Sequence, residues 1–116
     1  MRILILEDDP LQQFDITQTV EELGHGVVGP FSSVSEATES CGHSMPDAAF
    51  LDFDLGDGEY STGVADLLMR QHVPFAMTTG HSRRHIPDRF SEAPMLEKPF
   101  SAQDVAEAIG GFVRAR

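Results

Sequence analysis

The sequence predicts an α/β fold in which a doubly wound, five-stranded parallel sheet carries helices on both faces. Short apolar runs alternate with segments of helical periodicity along the 116 residues. Parallel strands that are covered on both sides have this continuous apolar character, and right-handed crossovers between them place helices on both faces. The length fits one core, so residues 1–116 are predicted to form a single domain.

The first strand–helix unit opens the chain. Ile3–Leu6 is an apolar run closed by acidic residues, which predicts a buried strand. The helix after it is predicted to begin at Pro10, which suits a first helical turn, and to end before Gly24. Spacings of three to four residues predict the buried face of this helix: Leu11, Phe14, Thr17 and Val20 or Leu23.

The second unit is shorter and the third begins with a clearer strand. Residues 27–28 predict a short strand that ends at the Gly29-Pro30 pair, and a helix capped by Ser33 or Ser35 is predicted to follow. The run at 48–51 predicts a third strand that ends in carboxylates. Because this run is wholly apolar, we expect it to lie inside the sheet.

The second half of the chain continues the alternation. A loop is predicted at 55–58, a helix around 64–71 and a fourth strand at 73–79. Residues 81–93 show little periodicity, which predicts a short or irregular fourth helix. A fifth strand is predicted at 94–97.

The last helix has the clearest start signal. Ser101 opens a Ser-x-x-Asp sequence that resembles a capping box. Gly110 and Gly111 are expected to loosen the end of the helix, because glycine is a poor helix former. The residues predicted to line its buried face are Val105, Ala108, Ile109 and Phe112.

Charge and composition exclude several classes of protein. The formal net charge of −11 disfavours direct binding to DNA or RNA, because an acidic surface repels phosphate backbones. Cys41 is the only cysteine, which rules out an intramolecular disulfide or a thiolate metal cluster and suits a reducing compartment. The N-terminal apolar run is too short for a secretion signal or a membrane span. We therefore expect a cytoplasmic protein without membrane contact.

Polar residues stand where four of the predicted strands end. These are Glu7 and Asp8 after the first strand, Asp52 after the third, Thr79 after the fourth and Lys98 after the fifth. Ligands of such sheets bind beyond the carboxyl ends of the strands, so neighbouring first and third strands would bring the acids into one pocket.

Oxygen ligands without cysteine or histidine favour a hard cation such as Mg²⁺. A lysine and a hydroxyl beside it suit a phosphoryl group, and Asp52 is a competent acceptor for that group. Taken singly, each residue has an ordinary structural explanation. The acids can cap a helix, Lys98 can be a surface cation and Thr79 a strand residue. Their occurrence at the ends of four strands on one edge favours the functional interpretation.

The sequence resembles the receiver domains of two-component response regulators over essentially the whole chain. Residues 3–10 match the opening strand and its acid pair, and 49–52 match the strand that ends in the phosphoacceptor, Asp52. Thr79 matches the switch hydroxyl, and Lys98-Pro99 matches the lysine with its following proline, whose peptide bond is often cis in this family. The resemblance implies the flavodoxin-like strand order 2-1-3-4-5.

The same resemblance implies a magnesium site. Glu7 and Asp8 match the metal-site carboxylates, Asp52 is shared with the acceptor role, and Asp54 matches the position that lends a backbone carbonyl to the metal. Asp9 falls just after the acid pair and is predicted to cap the helix. The expected cofactor is therefore Mg²⁺.

The chain departs from the common receiver pattern in the fourth and fifth strands. Met95 stands where many receivers carry an aromatic residue that couples to the switch hydroxyl. Residues 74–81 resemble the Phe-x-Phe-Ala-Thr-Gly-Tyr motif of an atypical stand-alone group, with Met77, Thr78 and His81 in place of its second Phe, Ala and Tyr. The chain is thus similar to that single-domain group.

The resemblance implies a signalling switch that catalyses only its own phosphorylation and dephosphorylation. A histidine kinase or phosphotransfer protein would transfer a phosphoryl group to Asp52, and a downstream protein target would read the change by contact. The chain ends soon after the last helix, so no output domain is expected.

Other functions remain open from the sequence. One alternative is a degenerate receiver that binds partners without phosphorylation. Another is a Toprim-type nucleic-acid enzyme, which would use Glu7 and the Asp-x-Asp at 52–54, although the net charge opposes it. A haloacid dehalogenase phosphatase places its Asp-x-Asp on the first strand and needs a longer chain.

Overall fold

Five parallel strands form one sheet within residues 1–80 and 86–115, the part of the chain that this computed structural model describes. In chain order the strands are β1 (Arg2–Leu6), β2 (Gly26–Phe31), β3 (Ala48–Asp52), β4 (Phe75–Thr79) and β5 (Met95–Glu97). Across the sheet their order is β2-β1-β3-β4-β5, which confirms the predicted topology.

Helices cover both faces of the sheet, as the doubly wound prediction requires. They are α1 (Pro10–Glu22), α2 (Val34–His43), α3 (Thr62–Arg70) and α4 (Ala102–Arg114). The buried residues of α1 and α4 share one apolar core, and those of α2 and α3 share the other. Among the described residues, no helix has both the length and the apolar character to cross a membrane.

The two cores follow from the alternation of side chains along each strand. Ile3, Ile5 and Phe50 belong to the face covered by α1 and α4, where Phe50 meets Phe112 edge to face with ring centroids 5.4 Å apart. Leu51, the next residue of β3, belongs to the opposite face. The same alternation decides the face on which each polar residue lies at the carboxyl end of its strand.

The buried face of α1 differs from the prediction. Ile16 and Val20 are its buried residues and pack in the core beside β1. Leu11 and Phe14 are 67% and 63% exposed, and Leu23 after the helix is 46% exposed, so the prediction that they line the core is wrong. At about 3.6 residues per turn, Leu11 and Phe14 point away from Ile16 and Val20. The helix carries apolar residues on two sides, and docking against β1 selects one of them.

The second strand is longer than predicted because it continues through Gly29 and Pro30. Its register with β1 shifts between Leu4 and Leu6, and Leu6 still pairs with Phe31 beyond the proline. The Gly29-Pro30 peptide is cis, and Gly29 has φ +100°, a conformation that favours glycine. Proline is tolerated here because β2 is an edge strand with one neighbour.

The last helix is not interrupted by the two glycines that are expected to loosen its end. It runs unbroken through Gly110 and Gly111 to Arg114, and its capping box at Ser101 is present. Each interior glycine costs about 1 kcal/mol relative to alanine. Burial of Ile109 and Phe112 on either side of the glycines outweighs that cost.

The connection from β4 to β5 contains a single turn of 3₁₀ helix, Asp88–Phe90, in its described part. Residues 81–85, including His81, lie outside the described residues. The prediction of a short or irregular helix over 81–93 is therefore tested only for residues 86–93. Phe90 is buried and contacts Phe75 edge to face at 6.1 Å between centroids. Arg89 donates two hydrogen bonds to Asp66 of α3, at 2.8 and 3.1 Å. These contacts attach the end of the connection to β4 and to α3.

Candidate functional site

Three carboxylates converge at the carboxyl ends of β1 and β3. One carboxylate oxygen from each of Glu7, Asp8 and Asp52 lies within 4.8 Å of the other two. Because Leu6 pairs with Leu51 in register, the residues that follow them, Glu7 and Asp52, stand side by side. Glu7 and Asp52 are only 1% and 3% exposed, whereas Asp8 is exposed at the mouth of the cluster. The predicted convergence of these acids is therefore present.

Lys98 reaches this cluster from the far side of β4. Its Nζ lies 3.1 Å from Glu7 Oε1 and 3.2 Å from Asp52 Oδ2. Its backbone N–H donates to the carbonyl of Thr79 at 2.8 Å, which aligns the end of β5 with the end of β4. Lys98 is the only lysine in the sequence, and its peptide bond to Pro99 is cis. One ammonium group thus bridges two buried carboxylates.

Hydrogen bonds to the turn after β1 hold Glu7 in place. Its Oε2 accepts from the backbone N–H of Asp9 at 3.1 Å. The Gln13 side chain donates to the Glu7 carbonyl and, at 3.0 Å, to the hydroxyl of Ser32. Asp9 itself caps α1 through its carboxylate, as predicted. Sequence reasoning missed Gln13 and Ser32, because only the path of the turn brings them beside Glu7.

The cluster holds more acidic than basic groups, with three carboxyl groups and one ammonium. Burial raises the pKa of Asp52 from its ordinary value of 3.8 to about 8, and the negative charge of Glu7 adds to the effect, while Lys98 opposes it. Burial alone would lower the pKa of Lys98, but Asp52 and Glu7 together hold it above its usual value. Two buried carboxylates share one ammonium, and the third carboxylate stands at the opening. A divalent cation fits this surplus of negative oxygen ligands.

The two remaining residues of the predicted site lie at its edges. Asp54 is half-buried in the loop after β3, where its Oδ1 accepts from the N–H of Gly56 at 2.9 Å. Its carboxylate is thus turned toward its own loop and does not join the group of three. Thr79 ends β4 and is 1% exposed. Both residues lie at the same edge of the sheet as Asp52, because their strands are parallel.

Comparison with known proteins identifies relatives of this chain by sequence and by structure. No family model matches the sequence. The phyllosphere-induced regulator PhyR of Methylorubrum extorquens is 34% identical over 110 residues, 92% of this chain but only 41% of PhyR. The PhyR response regulator REC domain of Erythrobacter litoralis superposes with TM-score 0.85 at 28% identity, over 97% of this chain and 89% of that one.

The superposition with a second solved structure includes almost the whole of both chains. SdrG from Sphingomonas melonis Fr1 superposes with TM-score 0.86 at 36% identity, over 97% of this chain and 96% of SdrG. The chain is a response regulator receiver domain. SdrG has also been solved in a BeF3-activated conformation, which superposes with TM-score 0.81 at 37% identity over 97% of this chain and 95% of that one. The resemblance drawn from the sequence is confirmed.

The receiver domain is expected to lose stability as the pH rises when no divalent cation is bound. Between pH 3.8 and about 8, folded Asp52 holds a proton that the unfolded chain releases. This contribution is complete below the unfolded pKa and disappears as the pH passes the folded pKa. We expect the melting temperature in EDTA to fall from pH 5 to pH 9.

Asp52→Asn is the control for this pH profile, because it isolates the contribution of this one side chain. The variant keeps the shape of the side chain and removes its ionisation. Its melting temperature should vary less with pH than that of the wild type. A wild-type profile no steeper than that of Asp52→Asn would contradict the prediction.

Proposed function

We propose that the chain is a cytoplasmic phosphoryl acceptor of a two-component system. A histidine kinase or a phosphotransfer protein supplies the phosphoryl group, Asp52 receives it in a Mg²⁺-dependent step, and the modified domain contacts a downstream protein. The observation that carries the proposal is the placement of Asp52, which is buried between two further carboxylates and the only lysine. The BeF3-activated form of SdrG, a relative of this chain, supports it.

The transfer forms one bond and breaks another at phosphorus. A carboxylate oxygen of Asp52 attacks the phosphorus of a phosphohistidine, the O–P bond forms, and the N–P electron pair leaves with the donor imidazole. Magnesium held by Glu7, Asp8, Asp52 and the backbone carbonyl of Asp54 would supply positive charge for the phosphoryl oxygens.

Two further side chains act on the phosphoryl group. The Lys98 ammonium, already 3.2 Å from Asp52 Oδ2, adds a second positive charge beside the nucleophile. The Thr79 hydroxyl takes the role of the switch, which its position at the end of β4, the strand beside β3, supports. Both contacts are stronger with the phosphorylated form than with the free carboxylate.

These differential contacts shift the population between two packings of the domain. Thr79 leads directly into the connection between β4 and β5. The end of that connection is attached to β4 through the Phe90–Phe75 ring contact and to α3 through the Arg89–Asp66 ion pair. A change at Thr79 therefore acts on the start of a connection whose end, at Asp88–Phe90, is held by these two contacts.

The exposed side of α1 is the surface that we assign to the phosphoryl donor. Leu11 and Phe14 are exposed apolar residues on the first turns of α1, which begins three residues after Glu7. A partner bound there is close to the mouth of the carboxylate cluster. The net charge of −11 favours a donor with a basic contact surface.

Phosphoryl uptake by the purified chain tests the proposal. The protein is incubated with acetyl phosphate, or separately with phosphoramidate, in the presence of Mg²⁺, and its intact mass is measured quickly in the cold. We expect a gain of one phosphoryl group that requires Mg²⁺ and decays on warming, because acyl phosphates are labile.

The negative outcome of this test has a definite meaning. Binding of Mg²⁺ without mass gain from either donor would overturn the proposal and favour a receiver that binds partners without phosphorylation. Mg²⁺-dependent cleavage of plasmid DNA would instead support the Toprim-type alternative.

A further inference from the structure

Thr78 places a second hydroxyl beside Asp52. Thr78 is 1% exposed, and its Oγ1 has no hydrogen-bond partner among the described residues. It pairs in register with Asp52 on β3 and with Leu96 on β5. Two residues earlier, Phe50 and Ala76 belong to the core under α1 and α4, so alternation places Asp52 and Thr78 on that same face.

The side chain of Lys98 passes over the strand that carries Thr78. Lys98 follows the end of β5, two residues beyond Leu96, which pairs with Thr78. To reach Asp52 and Glu7, which follow β3 and β1, its side chain extends across the end of β4. Thr78 thus lies on the strand between the lysine and the phosphoryl-accepting carboxylate.

An unpartnered buried hydroxyl is unfavourable, because it gives up its hydrogen bonds to water and receives none in return. Valine has the same shape and would fill the position without this cost. The receiver motif that residues 74–81 resemble carries alanine at the position of Thr78, a residue without a hydroxyl. In the unphosphorylated state the Thr78 hydroxyl forms no hydrogen bond with the described part of the chain, so it gives the fold no stability that valine would not give. We therefore expect its hydrogen-bond partner in another state of the site.

We propose that Thr78 is a positioning residue whose hydroxyl donates a hydrogen bond to Asp52 once Lys98 turns from that carboxylate to the phosphoryl group. The inference rests on the proposed function. In the unphosphorylated domain the ammonium occupies Asp52 Oδ2 at 3.2 Å. When the ammonium contacts phosphoryl oxygens instead, the neighbouring Thr78 hydroxyl replaces it as a donor and holds the orientation of Asp52.

The test compares Thr78→Val with the wild type in two measurements. The first is the melting temperature in EDTA, which we expect to be unchanged or higher, because valine removes the unpartnered hydroxyl. The second is the affinity for beryllium fluoride in Mg²⁺, followed by fluorine NMR. Loss of one hydrogen bond is expected to weaken it by about threefold to tenfold.

Two further variants separate positioning from packing. Thr78→Ser keeps the hydroxyl and should retain beryllium fluoride affinity close to that of the wild type. Thr17→Val removes a second threonine hydroxyl that is buried and unpartnered within the described part of the chain. It lies in the middle of α1, and its loss should leave the affinity unchanged.

Each outcome decides between the proposals. Equal affinity of Thr78→Val and the wild type would overturn the role of Thr78 and leave the proposed function intact. Parallel loss of affinity and melting temperature in Thr78→Val, not restored by Thr78→Ser, would show a structural role only and also overturn it. A wild type that takes up neither beryllium fluoride nor a phosphoryl group would overturn both proposals.

Discussion

Asp52→Asn is expected to abolish phosphoryl uptake and, at the same time, to stabilise the cation-free domain. Uptake is lost because an amide has no nucleophilic carboxylate oxygen. Stability rises because Asp52 and Glu7 are buried carboxylates that share one ammonium, so removing one charge leaves a balanced pair of Lys98 and Glu7. We expect a gain of about 1–3 kcal/mol at pH 8, a fraction of the free energy that corresponds to raising the Asp52 pKa from 3.8 to about 8.

Intact mass after incubation with acetyl phosphate and Mg²⁺ measures the first effect, and thermal melting in EDTA measures the second. Asp15→Asn, on the exposed surface of α1, is the matched control and should change neither. Asp52→Ala serves as a second variant that cannot be restored by deamidation. A phosphoryl gain that survives in Asp52→Ala would identify another acceptor and remove the basis of the proposed function.

Lys98→Met is expected to destabilise the cation-free domain strongly and in a pH-dependent way. Methionine preserves the apolar length of the side chain but leaves Glu7 and Asp52 buried without a counter-charge. Breaking a buried ion pair by removing one partner costs about 3–5 kcal/mol. The cost should be greatest above pH 8 and smaller near pH 5, because Asp52 then carries a proton.

Chemical denaturation in EDTA at pH 5 and pH 9 measures this difference. Lys98→Arg keeps the positive charge and should recover most of the stability at both pH values. Mg²⁺ is expected to restore part of the stability of Lys98→Met, since the carboxylates that lost the ammonium still offer oxygen ligands. An equal loss at both pH values would mean that the side chain contributes by packing and that its charge does not stabilise the cluster.

Most of the fold was predictable because parallel strands leave strong signals. Ile3–Leu6 and residues 48–51 of the wholly buried third strand are continuous apolar runs. Such a run predicts a strand that is covered on both faces, whichever face each side chain takes. The buried side of α1 was not predictable, because Leu11 and Phe14 compete with Ile16 and Val20. Only docking against the sheet distinguishes two apolar sides of one helix.

Two expectations that differ from the structure involve glycine and proline. Local preference predicts that Gly29-Pro30 ends a strand and that Gly110 and Gly111 weaken a helix. Pairing with β1 and burial of Phe112 override both preferences in the folded chain. Element ends depend on such long-range contacts, which a local sequence pattern does not contain.

The candidate site was also predictable only in part. The convergence of Glu7, Asp8 and Asp52 follows from strand order, so it could be predicted. The hydrogen bonds from Gln13 and the buried, unpartnered hydroxyl of Thr78 could not be predicted, because they depend on the path of a turn and on side-chain directions. The raised pKa of Asp52 likewise requires its burial to be known.

The placement of the sole lysine at the carboxylates has a practical consequence for spectroscopy. Reductive methylation with carbon-13 formaldehyde would attach labelled methyl groups only at Lys98 and at the chain's amino terminus. A two-signal spectrum would then follow occupancy of the pocket directly, without resonance assignment of the rest of the molecule.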